Sequence, residues 1–492
     1  MNLSSTAIAD VPFVVWAIVL PLAAAVAVFV SPRTIAWLGT LAALAISATV
    51  TGLTWQVWHV GPRRYSVGGW GPPLGIDLYA DGLSVVMLLM TAVVGVFVSV
   101  YAVGYFTDRS SYFWALWLFL WGALNALFLS ADIFNLYVTL ELITLAAVGL
   151  VALAGHVTAV VAAFRYLLAA LLGSLLYLLG VALLYASYGM LDVASLGRAM
   201  SPGTVSAAAA ALMTVGLALK TALFPLHFWL PRAHAEAPAP VSAVLSALVV
   251  QASFYVILRL WFETFPAVVS SSVGQCLAVL GSAAILWGSL QAFFAPRVKT
   301  IVAYSTVAQL GYLFLVFTLA APGGTASAWS GGILFAISHG CAKASIFLAA
   351  GSIQRVAGHD RVASLDGIGR RLPVTFFSMA LASVTLMGLP PSGAFVAKWM
   401  LLEAALENRQ AWLAVVILAG GLLAAAYLFR ILGRAFSPSA AEVPLFVPRS
   451  MEVAALALAI IALSLGFFTA PLLDLLQIGA PLAWIVVLEV TA

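Results

Sequence analysis

Five ionisable side chains stand inside apolar runs, and their types point to proton chemistry. Glu141 lies in FNLYVTLELITLAAVGLVAL, Lys220 in GLALKTALF, His339 and Lys343 in ISHGCAKASIFL, and Lys398 in GAFVAKWMLLEAALE. A charge at the centre of a lipid bilayer costs roughly 2.5–3.5 kcal/mol on insertion scales. Unpaired, Glu141, Lys220, Lys343 and Lys398 would together cost on the order of 10 kcal/mol. Partners or water must offset that, so these residues are expected to face an internal polar path. The chain has 17 arginines and only 4 lysines, and three of the lysines fall in apolar runs. Arginine stays charged, whereas a desolvated lysine loses its proton and a neighbouring carboxylate restores it.

Each group has two readings. Glu141 and Lys220 are read as an ion pair whose opening and closing changes the proton affinity of the lysine; a static pair joining two helices is the plainer alternative. His339 and Lys343, four residues apart, share one helix face and are read as two relay groups. The alternative is a histidine bonded to a backbone carbonyl and a lysine that snorkels. KTIVAYSTVAQLGY, residues 299–312, brings Tyr304, Ser305 and Gln309 near one side of a helix. They would support a water wire or simply hold helices together. Lys398 is read as the exit of the path, with Glu403 about a turn beyond, against a snorkelling lysine at a helix end. His227 stands close to Pro225 and is expected to bond carbonyls freed there. His234, Arg232 and Glu236 are expected on a solvated cytoplasmic rim.

The elements that position these residues follow from composition. Of 492 residues 64% are hydrophobic and 8% charged, and mean hydropathy is +1.13. A soluble fold cannot bury that much apolar surface. About fourteen apolar runs are each long enough to span a bilayer as a helix: 13–30, 35–55, 81–105, 112–130, 133–154, 160–188, 206–230, 240–262, 273–295, 299–320, 329–353, 373–404, 411–433 and 451–472. They do not alternate as barrel strands would, so the class is all-α and polytopic. Residues 1–492 form a single membrane domain. Two runs are interrupted, 206–230 near Pro225 and 373–404 at GLPPSGAF, where Pro390 and Pro391 stand. Paired broken helices point to inverted repeats. The core is placed at about 112–433, with five-helix repeats at about 112–262 and 273–433.

Loop charge gives an orientation. Numbered from the first helix, odd loops carry 13 Lys and Arg residues, from Arg33 and Arg109 to Lys299 and Arg449, and even loops carry 5, including Arg259. The positive-inside rule puts odd loops in the cytoplasm and both termini outside. The net charge of +4 then reflects topology, and no nucleic-acid partner is implied. Asp10 is the only charged residue before the first helix, which is expected to be retained rather than cleaved as a signal. Cys276 and Cys341 are expected to pack in the core. No metal site is expected, and no cofactor: the chain shows no redox or phosphate-binding motif of its own.

Five stretches, in order, carry a family likeness: DIFNLYVTLELITL (132–145), LKTALFPLHFWLPRAHAEAPAPVSAVLSAL (219–248), KTIVAYSTVAQLGY (299–312), SHGCAKASIFLAAGSI (338–353) and GLPPSGAFVAKW (388–399). The chain resembles the antiporter-like subunits shared by Mrp cation/proton antiporters, respiratory complex I and membrane-bound hydrogenases, and most of all the MrpD-type subunits of the Mrp antiporters. The resemblance implies a fourteen-helix proton-translocating subunit with broken helices 7 and 12. Glu141 and Lys220 would be the helix-five/helix-seven pair, His339 and Lys343 the helix-eleven relay, and Lys398 the helix-twelve lysine. Two positions depart from the pattern. Gln251 stands where such subunits carry a central lysine on helix eight, and Arg232 follows the WLP turn where an acidic residue is usual.

The function expected is proton translocation within a multi-subunit cation/proton antiporter of a bacterial-type inner (cytoplasmic) membrane. The partners would be other membrane subunits, the lipid bilayer, protons, and Na+ or another monovalent cation. The alternatives are a proton-pumping subunit of a redox-driven complex, NADH/quinone- or hydrogenase-linked, and a scaffold without transport or a subunit carrying another solute such as inorganic carbon.

Overall fold

The computed structural model describes residues 11–30, 35–73, 75–106, 111–321, 324–438 and 446–481. Asp10, Arg33 and Arg109 lie outside them. Every apolar run corresponds to a helix or a broken helix. The first six are α1 (Phe13–Val30), α2 (Ile35–Val60), α3 (Gly82–Tyr105), α4 (Ser111–Leu129), α5 (Ile133–Ala152) and α6 (Val157–Tyr188). Helix α7 is broken into α7a (Thr204–Lys220) and α7b (Leu230–Glu236). It is followed by α8 (Ala239–Thr264), α9 (Ser271–Phe294), α10 (Val298–Leu319) and α11 (Ala326–Ala357). Helix α12 is again two pieces, α12a (Pro373–Met387) and α12b (Gly393–Glu407), and α13 spans Ala411–Ala435. The last run is not straight: α14a (Arg449–Ser464) and α14b (Thr469–Gln477) meet at 76°. The helix expected over 451–472 therefore ends at Ser464, where Gly466 and two aromatic residues intervene.

Eleven of these helices are individually long and apolar enough to cross a bilayer. From α4 to α8 and from α9 to α13 the chain makes two sets of five, each with its fourth helix broken. A two-stranded antiparallel hairpin, β1 (Arg63–Ser66) with β2 (Asp77–Ala80), fills part of the second loop.

Loops of equal parity meet. Arg297, before α10, reaches Glu236 after α7b and Asp360 after α11. Arg355 at the end of α11 donates to the carbonyls of Gly104 and Tyr105 at the end of α3. On the opposite side Asp77, Ala131 and Val193 are joined by backbone bonds, and Gly82 donates to Ile478 at 2.7 Å. Odd and even loops thus form two opposite faces, as a consistent span count requires.

Helices α8 and α11 are buried on all sides. The outer helices turn large apolar side chains outward, among them Phe164, Leu168 and Leu172 on α6 and Leu418 and Leu422 on α13. Cys341 is buried, but Cys276 is exposed on α9; an apolar run in lipid has an apolar outer face, so hydrophobic context alone did not place it. Small residues let backbones touch: a Cβ at Gly281 of α9 would sit 2.6 Å from the carbonyl oxygen of Gly311 on α10.

Candidate functional site

The site is a line of buried polar groups running across the middle of the bundle, from α5 to α12b. Its first part is where α5, α6 and α7a meet. Lys220 is the last residue of α7a, 7% exposed. Its Nζ lies 3.4 Å from Glu141 Oε1 and donates to Thr144 Oγ1 at 2.9 Å. Ser174 of α6 donates to the same Glu141 oxygen. Thr144, Tyr166, Val249 and Ser253 wall a cavity of about 10 Å³ beside Lys220, roughly the room one water needs. The expected Glu141–Lys220 juxtaposition is present, with the lysine at the broken end of its helix.

The second part lies across α8. Val249 and Ser253 face Lys220, whereas Gln251 lies two residues from each and so about 200° round the helix, facing α11. Gln251 Nε2 donates to the Ala336 carbonyl at 2.8 Å and lies 3.0 Å from His339 Nδ1. A carbonyl only accepts, so the amide orientation is fixed, and its second hydrogen points at Nδ1. That makes Nδ1 the acceptor and leaves the histidine proton on Nε2. Neither Gln251 Oε1 nor His339 Nε2 has a hydrogen-bond partner among the described residues. A widened π turn, Leu245–Val249, precedes Gln251 in α8; such turns often mark functional positions.

The third part joins α10, α11 and the α12 break. Lys343 is fully buried and donates to the Val302 carbonyl at 3.0 Å and to Ser305 Oγ. Tyr427 of α13 faces Ser305 and Gln309. Gln309 Nε2 donates to the Leu386 carbonyl at 3.2 Å, and Lys398 Nζ reaches that same oxygen at 3.3 Å and the Met387 carbonyl at 3.1 Å. These are orphan carbonyls of the last turn of α12a. The Lys398 ammonium also sits over the Tyr312 ring at 4.6 Å. Lys398 therefore does not snorkel: the break supplies its acceptors.

Several expected members are elsewhere. Glu403 is exposed on the outer side of α12b, since it lies five residues and about 140° beyond Lys398. Tyr304 is half-buried on the α9 side of α10, one residue round from Ser305. Among the described residues His227 Nδ1 bonds no freed carbonyl, and the ring stacks on Phe224 at 5.6 Å. The break in α7 starts at Thr221, ahead of Pro225, which is exposed. Pro390 and Pro391 stand in the α12 break, between Met387 and Gly393.

Other residues belong inside where loops were expected. His234 is 1% exposed, not on a solvated rim, and its ring stacks on Phe347 at 5.0 Å. Arg232 is exposed and Glu236 half-buried at the expected rim, where Glu236 accepts from Thr158 and Arg297. Lys299, assigned to an odd loop, is also 1% exposed, and its Nζ donates to the Ala237 carbonyl. All four lysines are thus buried. Arg259, assigned to an even loop, is buried against Asp81, with nitrogen–oxygen distances of 2.5 and 2.6 Å, and Glu263 at 2.5 Å. Scarcity was the signal for Lys299: in a chain that prefers arginine at its loops, the fourth lysine was the exception. Glu263, four residues on, is the only local cue to Arg259; its fully buried partner Asp81 is 178 residues away.

With this geometry in hand, comparison with known proteins is decisive. Residues 130–424 match the family model of the NADH:quinone oxidoreductase/Mrp antiporter transmembrane region. The chain belongs to the NADH:quinone oxidoreductase/Mrp antiporter family. Residues 71–113 match the model for the N-terminus of complex I chain 5. The N subunit of the NADH-quinone oxidoreductase of Desulforudis audaxviator is 35% identical over 466 residues, 89% of this chain and 92% of that one. The D subunit of the Na(+)/H(+) antiporter of Alkalihalophilus pseudofirmus is 29% identical over 390 residues, 77% of each. Among solved structures, a chain of the membrane-bound sulfane sulfur reductase, an archaeal respiratory membrane complex, superposes with TM-score 0.89 and 27% identity, over 96% of this chain and 97% of that chain. A chain of the Mrp complex from Dietzia sp. gives 0.87 and 26%, over 96% and 98%. The family is a membrane one, its solved members sit in multi-subunit assemblies, and this chain is a multi-pass member.

Proposed function

We propose that this chain is the proton-translocating subunit of a multi-subunit cation/proton antiporter, moving protons along Glu141, Lys220, His339, Lys343 and Lys398. The observation that carries the reading is the Lys220–Glu141 pair at the broken end of α7a. A lysine there gives up its proton when the carboxylate withdraws and regains it when the carboxylate returns. Across α8, His339 takes the proton at one ring nitrogen and releases it from the other. Gln251 sets the resting tautomer, and for Nδ1 to bear a proton its amide must turn and offer Oε1. Lys343, Ser305, Gln309 and Tyr427 lead on to Lys398, which the carbonyls of α12a hold.

In this reading the five-helix sets, about 112–262 and 273–433, are inverted repeats, so the two breaks frame one path. The odd face is cytoplasmic, both termini lie outside, and the membrane is the bacterial-type inner membrane. The exchanged ion is Na+ or another monovalent cation, handled with other membrane subunits.

One observation favours a second reading, the same relay in a redox-driven complex. The relative with 35% identity is named as a subunit of an NADH-quinone oxidoreductase. The relay needs no change; only the partner that drives it differs.

The test is proton flux in vesicles carrying the whole complex, with assembly followed in parallel. Lys220→Ala and Lys343→Ala should each lower flux at least about tenfold, in keeping with the 10²–10⁴-fold typical of positioned proton-transfer groups. Unchanged flux in both, with assembly intact, would make the chain a scaffold.

A further inference from the structure

We propose that the groove between α12a and α14a at the odd-loop face is a binding site for an anionic phospholipid. The lipid lays an acyl chain along the groove and sets its phosphate against Arg370 and Arg449.

The groove arises from packing. α12a and α14a run side by side, and both begin at the odd-loop face. Between them is a cavity of about 460 Å³, within the roughly 300–1,000 Å³ of small-molecule sites. Its α12a wall is Pro373, Phe377 and Ala380, spaced four and three apart and therefore on one stripe. Leu456 of α14a lines the other side, and Phe436, just past α13, closes the groove. Phe436 reaches that place because residue 369 is glycine: a Cβ there would stand 2.9 Å from the phenyl ring. Phe377 and Phe436 are each more than half exposed. These side chains offer no hydrogen bond, so the groove suits hydrocarbon.

The groove also has a polar end. From Pro373 to Ala380 is seven residues, about 10 Å of helix, so the groove runs inward from the start of α12a. At that start stands Arg370, beside Gly369 of the lining and three residues before Pro373. Arg449 is the first residue of α14a and seven before Leu456. Nearly two full turns return it to the same helix face. Val453, between them on that face, is exposed, whereas Met451, Ala454, Ala455 and Leu458 point into the bundle. Both arginines are exposed. Among the described residues neither makes a hydrogen bond or an ion pair.

The neighbouring charges do not neutralise that end. Asp366 is taken by Arg434 at 2.9 Å. Glu452, three residues from Arg449 in the first turn of α14a, is half-buried and offsets one of the two free cations at most. The rim of Arg370, Arg434 and Arg449 against Asp366 and Glu452 keeps a positive balance.

A ligand for this site is apolar along two helical turns and anionic at one end. A phospholipid of the odd-face leaflet has that order of groups, with its headgroup at the helix ends and its chains below. Guanidinium groups bind phosphate oxygens through paired N–H donors. A zwitterionic headgroup brings a cation that the two arginines repel, so the site favours a net negative one. Basic residues at a membrane face select anionic lipids in this way. A helix of another subunit would cover the apolar wall but leave both arginines without a counter-charge.

The experiment uses the whole complex in phosphatidylcholine vesicles that hold a small share of phosphatidylglycerol with a photoreactive diazirine in one acyl chain. Cross-links are mapped by peptide mass spectrometry, against a phosphatidylcholine probe with the same chain. The phosphatidylglycerol probe is expected to label α12a and α14a around Phe377 and Leu456 at least about fivefold more than the phosphatidylcholine probe. Arg370→Gln and Arg449→Gln should each lower that labelling about fivefold, the effect of one arginine at a membrane surface. Ala380→Phe fills the groove, leaves both arginines in place and should remove most of the labelling. Assembly is checked for each variant. Equal labelling by the two probes would make the groove ordinary lipid boundary and overturn the proposal. Labelling by neither would show that another subunit covers the groove, and would overturn it too. Unchanged labelling in an assembled variant carrying both Arg370→Gln and Arg449→Gln would remove the headgroup contact on which the site depends.

Discussion

Gln251 Nε2 stands 2.8 Å from the Ala336 carbonyl and 3.0 Å from His339 Nδ1, so one amide group ties α8 to α11 and fixes where the histidine carries its proton. In the proposed path this uncharged residue is therefore not a gap. A glutamine cannot hold the mobile charge, but it sets which nitrogen receives one.

Substitutions at Gln251 should separate these roles. Gln251→Leu removes both bonds and leaves the Ala336 carbonyl and the imidazole without their shared partner; flux should fall at least about tenfold, as for loss of a positioned relay group. Gln251→Lys supplies a mobile charge and should sustain flux. Measurement of both in one vesicle preparation decides the matter, and equal flux in Leu, Lys and wild type would remove Gln251 from the path.

The carboxylate side of the first pair is built by Glu141 with Ser174. Glu141→Gln should abolish most flux while the complex assembles, because the neutral amide cannot attract the Lys220 proton back. Ser174→Ala should have a smaller effect, on the order of one neutral hydrogen bond, about 0.5–1.5 kcal/mol. Flux titrated against pH in both variants checks the ranking, and a larger loss in Ser174→Ala than in Glu141→Gln would contradict it.

Gly388 lies at φ 79°, and a Cβ there would come within 2.6 Å of the Lys398 side chain. Gly388→Ala carries a left-handed backbone penalty of about 1 kcal/mol and pushes Lys398 off the α12a carbonyls. Flux should drop while Lys220 chemistry is untouched. Normal flux in an assembled Gly388→Ala would show that this seating of Lys398 is dispensable.

Removing Arg259 would strand Asp81 and Glu263. Breaking one side of a buried pair costs about 3–5 kcal/mol, so Arg259→Leu should reduce folded, assembled protein sharply. Arg259→Leu combined with Asp81→Leu should recover part of it. Thermal aggregation in detergent reads both, and the idea fails if the double variant is no better than the single.

Asp132, the cap in front of α5, has its carboxyl pushed up to about 6 by burial, with the Asp192 charge adding to the rise. A folded-state value above the unfolded one means its stabilising share is full below about pH 4 and is lost as pH rises through about 6. Asp132→Asn keeps the acceptor that bonds Asn135 N–H at 2.6 Å in the native chain. It should raise the melting temperature at pH 8 and leave it unchanged at pH 4. A lower melting temperature at pH 8 would show that the ionised carboxylate is the better cap.

Much of this was legible in the sequence because lipid leaves few options. Long apolar runs must be helices, so span positions followed from hydropathy, and the two breaks followed from proline and glycine. Glu141, Lys220, Lys343 and Lys398 were visible because a charge in such a run needs a reason. What the sequence hid was angular and long-range. Tyr304 and Ser305 are neighbours on the chain yet face different sides of α10, and Glu403 turns away from Lys398 by its place on the helix. His234 and Lys299 stood near loop residues, and only tertiary packing, α7b against α10 and α11, buries them. Arg259 looked like a loop charge because Asp81, the partner that buries it, is 178 residues away in the sequence.

The most direct test of the central claim is Lys220→Arg in assembled complex, read as proton flux into vesicles. Arginine keeps the positive charge beside Glu141 but holds its proton at any working pH. If Lys220 exchanges protons, flux is lost while assembly persists. If Lys220→Arg conducts like the native chain, the pair is a static link between α5 and α7a, and protons do not pass through it.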